Sequence, residues 1–150
     1  MYGESDFSGT LNELIETCID GQKGFEAAAE AVEDPTLKQE LKQYSQQRGD
    51  FAHELQRLVA SSGEEPKEHG SASAAMHRGW MDLRKALTSN DTHAILAECE
   101  RGEDSALETY RDALDEPLPP QLALPVASQY QAIQTAHDRV RDLRDSSKPN

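Results

Sequence analysis

Apolar residues return along this chain every three or four positions over long runs, and no run shows the strict alternation of a half-buried strand. The first run carries Leu11, Leu14, Ile15, Cys18, Phe25, Ala29 and Val32. Thr10 and Glu13 stand at capping-box spacing at its start. Asp34-Pro35 ends it and opens the next helix as N-cap and first-turn proline. The second run holds Leu37, Leu41, Tyr44, Phe51, Ala52, Leu55, Leu58 and Val59, up to a loop over 61–71. A shorter run over about 71–88 places Met76, Trp80, Leu83 and Leu87 on one face, and Ser89-Asn90-Asp91 breaks it. The fourth, about 92–115, carries Ile95, Leu96, Cys99, Ala106, Leu107, Tyr110 and Leu114. After a turn at 116–120, the fifth carries Val126, Tyr130, Ile133, Val140 and Leu143, with Pro125 either in its first turn or at a kink.

Four helices of about 24 residues would each span roughly 36 Å, and the shorter one has enough length to carry the chain back along them. The pattern predicts an all-α fold. Two long hairpins joined by a crossover helix (about 71–88) make an up-down four-helix bundle of ferritin-like topology. Residues 1–150 read as a single domain, ordered over about 8–145 with flexible ends.

The pentapeptides CIDGQ (18–22) and CERGE (99–103) share one form, Cys-x-x-Gly followed by Gln or Glu. Aligning their cysteines also aligns Leu14 with Ile95 and Ile15 with Leu96, as in a duplicated hairpin. At about 100° per residue, Gln22, Arg48, Glu103 and His137 each fall inside the apolar stripe of one long helix. Asp20 and Glu16 point to solvent on the same reckoning, as do Asp50 and His53. A single buried polar layer of Gln22, Arg48, Glu103 and His137 follows, with Arg48 and Glu103 paired because neither charge is buried cheaply alone.

That pair reads as a register-fixing ion pair, as an anion or small-ligand site, or as part of a metal site. His137 reads as a core histidine bonded to Glu103 or Glu100. Cys18 and Cys99 read as core packing, since bundle helices ~8–10 Å apart hold Cα atoms too far apart for a disulfide. Gly21 and Gly102, which cost roughly 1 kcal/mol each relative to Ala in a helix, mark close approach by a neighbouring helix. Trp80, with His77 and Arg84, forms one edge of the short helix: a cover for the bundle flank, a contact surface, or a lid over the polar layer.

Composition narrows the partners. Fifteen Lys and Arg stand against 28 Asp and Glu, a net charge of −13, which repels phosphate backbones and anionic lipid. No run approaches the ~20 apolar residues that a membrane crossing requires. The N-terminal stretch lacks a basic-then-apolar leader, and cysteines within amphipathic patterns suit a reducing compartment, so the expected location is the cytoplasm.

The stretches CIDGQKGFEAAAE, HRGWMDLRKAL and ECERGEDSALETYRDAL resemble an uncharacterised bacterial family of four-helix-bundle proteins within the ferritin-like superfamily, over about residues 8–144. The resemblance implies a ferritin-like bundle. Ferritin-like di-iron proteins use a Glu on two helices and Glu-x-x-His on the other two. The matching positions here are Gln22, Glu103, Ser45-x-x-Arg48 and Gln134-x-x-His137, and only Glu103 and His137 keep the ligand type.

The expectation is a non-catalytic, acidic bundle with a degenerate metal site and no cofactor. It would serve as a structural, interaction or stress-associated protein that forms a homodimer. One alternative is an iron- or manganese-binding protein or oxidase using Glu103 and His137 with Glu100. The other is a binder of small carboxylates through Arg48.

Overall fold

In a computed structural model of the chain, residues 7–70, 80, 83–89 and 91–147 are described. Among them the fold is all-α, with five helices and no strand. The helices are α1 (Ser8–Ala31), α2 (Pro35–Ser61), α3 (Leu83–Thr88), α4 (Thr92–Leu114) and α5 (Pro120–Ser146).

Local chemistry sets most of the ends. Asp34 accepts a hydrogen bond from the Leu37 N–H at 2.8 Å, with Pro35 in the first turn of α2. Asp91 accepts from the His93 and Ala94 N–H groups at the start of α4. The expected capping box at Thr10 does not form. Helix α1 begins two residues earlier, at Ser8, and the Thr10 hydroxyl lies 2.9 Å from both carboxylate oxygens of Glu116 on the turn before α5. Pro125 is inside α5, more than one turn past its first residue, where it removes the N–H that would bond to the Gln121 carbonyl. Of the short helix expected over about 71–88, the described part is Leu83–Thr88; residues 71–79, 81 and 82, and with them His77, lie outside the described residues.

The four long helices pack as a ring in the order α1, α2, α5, α4. Two apolar clusters stack along it. One joins Leu11, Leu14 and Ile15 of α1 to Leu55 and Val59 of α2, Leu107 and Tyr110 of α4, and Leu122 and Val126 of α5. The other joins Phe25 and Ala29 to Leu41, Ile95, Leu96 and Val140. From this order, α1 and α5 run one way and α2 and α4 the other, so every neighbour in the ring is antiparallel. The end of α2 and the start of α4 lie at opposite ends of the bundle, so one connection crosses its length. Its first part is pinned on α1 and α2. Asn12 of α1 donates to the Glu65 carbonyl and accepts from the Lys67 N–H, and Gln56 of α2 donates to the Lys67 carbonyl. No helix among the described residues is long and apolar enough to cross a membrane.

Candidate functional site

The centre of the bundle is charged. Arg48 of α2 and Glu103 of α4 are 1% and 0% exposed, and they meet at two points. Nη1 of Arg48 donates to Oε1 of Glu103, and Nη2 donates to Oε2 at 2.6 Å. The fork geometry matches a guanidinium to a carboxylate and leaves neither charge bare. The Nε N–H donates to the Gln47 side chain at 3.2 Å. The Phe25 ring lies 5.3 Å from the guanidinium carbon, a cation–π distance. Burial alone would lower the Arg48 pKa, but the Glu103 charge and its hydrogen bonds outweigh that and raise it. The Arg48 guanidinium therefore stays charged at any physiological pH.

Trp80 seals this centre from the α1–α4 side. Its indole is 5% exposed and stands edge-on to Phe25, with centroids 5.5 Å apart. It sits in a slot made by two glycines: a Cβ at Gly24 would lie 2.5 Å from the ring, and one at Gly102 would lie 2.3 Å from it. The close approach expected at Gly102 comes from this indole and not from a helix backbone. Trp80 is thus a buried plug on the bundle flank, whereas Arg84, placed on the same edge by the sequence, is exposed.

A second polar chain passes through all four long helices. Cys18 of α1 lies 3.0 Å from the Tyr110 hydroxyl of α4. Tyr110 donates to Gln129 Oε1 of α5 at 2.7 Å, and Gln129 Nε2 donates to Glu54 of α2 at 2.7 Å. The Phe51 backbone carbonyl, 3.4 Å from Gln129 Nε2, can only accept, which orients the Gln129 amide and makes Tyr110 a donor, so the Cys18 thiol donates to the Tyr110 oxygen. Burial pushes the Cys18 thiol up to about 11 and raises Tyr110 well above the usual phenol value. Both cysteines are free and buried, and burial raises Cys99 as well. They are inert thiols.

His137 sits elsewhere, in the groove between α4 and α5. Its Nε2 is 2.7 Å from Asp104 Oδ1 and 3.5 Å from Glu100 Oε2, and its Nδ1 is 3.0 Å from Asp138 Oδ1. Burial would lower its pKa, but the bond to Asp138 and the charges of Asp104 and Glu100 outweigh this and raise it.

Of the four residues expected in one layer, the structure brings together Arg48 and Glu103 only. The inward positions of α5 are Ile133, Ala136 and Val140, and His137, one step round the helix from Ala136, turns toward α4. Gln22 is half-buried beside α2, its side-chain amide over Gly49 and its backbone carbonyl accepting from the Ser45 hydroxyl at 2.9 Å. Glu103 and His137 do not share a site. Asp50 and His53 are exposed.

Two further buried polar residues stand outside the expected layer. Gln129, 1% exposed, lies between Val126 and Ile133 in the stripe of α5, so its spacing carried the signal. Asp20, 2% exposed, is on the outer face of α1 by angle, but Gly70 of the connection covers it. No pattern within α1 announces that cover.

Residues 6–116, most of the chain, match the family described as Domain of unknown function (DUF2383). Among curated proteins, none matches the chain. The sequence match and the all-helical architecture agree, and the chain belongs to the DUF2383 family.

Proposed function

We propose that this protein is a non-catalytic, ferritin-like four-helix bundle in which a buried ion pair has replaced an ancestral metal layer. In this reading it acts as a structural or interaction module in the cytoplasm and self-associates as a homodimer. A stress-associated role is analogy with other ferritin-like proteins.

The observation that carries the reading is the two-point contact of Arg48 with Glu103 at the bundle centre. A guanidinium offers no lone pair and repels a dication, and here it stands where a ferritin-like di-iron site would place a ligand. Both oxygens of the only matching central carboxylate are engaged by it. The ring of antiparallel neighbours, with one long connection between α2 and α4, supports the ferritin-like assignment.

The alternatives draw less support. An iron or manganese site built on Glu103 and His137 would need two side chains that face different partners. A carboxylate binder would need an open Arg48, but Arg48 is 1% exposed and Glu103 already supplies its carboxylate.

Elemental analysis of untagged protein, alongside Glu103→Ala and Asp104→Asn, tests the reading. No iron or manganese dependent on Glu103 is expected. Stoichiometric iron or manganese that Glu103→Ala removes and Asp104→Asn leaves in place would overturn it.

A further inference from the structure

We propose that Glu100 and Asp104 of α4, with His137 of α5, form a site for a divalent transition-metal ion of the zinc class in the α4–α5 groove. The proposal goes beyond the reading of the bundle centre and asks nothing of Glu103.

One ligand atom from each of the three residues lies within 4.8 Å of the others. Bonds of ~2.0–2.2 Å to a common ion put ligand atoms roughly 3–3.5 Å apart, so side-chain torsions alone can close the set. Glu100 and Asp104 are one turn apart on α4 and present both carboxylates to the same groove. An imidazole with two carboxylates is a mixed nitrogen and oxygen donor set, suited to zinc and its first-row neighbours.

His137 is held as a metal-binding imidazole is held. Asp138 faces its Nδ1 at 3.0 Å and is itself held by the Gln134 amide at 3.0 Å. A carboxylate at Nδ1 keeps the proton there and turns the Nε2 lone pair to the other two ligands. Nε2 is buried, and no well-aligned hydrogen bond satisfies it; Asp104, though 2.7 Å away, makes a close charge approach and not a directed bond. Glu100 has a support of its own. Arg144 takes its Oε1, leaving Oε2 as the oxygen that faces His137. Both supports lie outside the ligand set, which is the arrangement that fixes ligands before the ion arrives. Asp104 is 62% exposed, so the groove gives an ion an entry path and leaves room for water to complete its coordination.

Zinc chloride titrated calorimetrically into untagged, chelator-treated protein tests the site. Wild type and His53→Ala are expected to bind one ion per chain. His137→Ala and Asp104→Asn should each weaken binding at least tenfold, and Asp138→Asn by roughly 10-fold to 100-fold through the lost support of Nδ1. Asp104 is mostly exposed, so its variant remains decisive even if His137→Ala fails to fold. Absence of binding at millimolar zinc would overturn the proposal, and so would Asp104→Asn binding as tightly as wild type. Glu103→Ala should leave folded protein binding zinc, which separates this site from the bundle centre.

Discussion

Arg48 and Glu103 join α2 to α4, two helices that stand on opposite corners of the ring and hardly approach one another otherwise. A buried ion pair across that diagonal acts on register: sliding either helix by one turn would strand both charges in an apolar core. Its worth for stability is another matter, because desolvation offsets much of the attraction between the two charges.

The pair should therefore respond asymmetrically to mutation. Arg48→Met leaves the Glu103 carboxylate buried without its partner and should destabilise by about 3–5 kcal/mol. Arg48→Met combined with Glu103→Leu removes both charges and should recover most of that loss, or exceed wild type by up to about 4 kcal/mol. Urea unfolding of the two single variants and the double variant makes the measurement. A double variant no more stable than the singles would contradict a structural role for the pair.

The two matched glycines should part company. Gly102 faces the Trp80 ring, where an added Cβ would lie 2.3 Å from the indole, whereas at Gly21 the nearest atom, Arg48 Nη1, is 3.4 Å away. Gly102→Ala should expel the indole and lose a large part of the roughly 3–5 kcal/mol that Trp80→Ala itself would cost. Gly21→Ala should be near neutral, since contact at ordinary distance is offset by a helix-propensity gain of up to about 1 kcal/mol. Thermal melts of the three variants decide it. Added indole should raise the melting temperature of Trp80→Ala and leave wild type unchanged.

That contrast indicates how far the sequence could be read. Helical periodicity is local, so the helix spans and the inward positions of Arg48 and Glu103 were legible from spacing alone. The Asp34 cap was legible for the same reason. What a helical wheel cannot supply is the connection that lies on the bundle. Asp20 is buried because Gly70 covers it, and Gly24 and Gly102 are glycines because Trp80 lies between them. The side-chain site was legible only by half. His137 lies one step from Ala136 at the boundary of the α5 stripe, where a small rotation of the helix decides between the core and the α4 groove.

His137 gives a pH signature whose sign follows from its surroundings. The groups facing it are Glu100 and Asp104 on α4 and Asp138 on its own helix, all acidic, with Arg144 drawn onto Glu100. Its folded pKa is raised above the ordinary histidine value of about 6.5. A raised folded pKa means the native state holds the proton more tightly than the unfolded chain does. The stabilisation is then complete below about pH 6.5 and is lost as pH rises through the folded value. In chelator, wild type should melt above His137→Gln by its widest margin near pH 5.5–6, and the margin should narrow steadily toward pH 9. A margin that widened over the same range would mean that His137 is held neutral in the native state, and the carboxylates of the groove would then not set its charge.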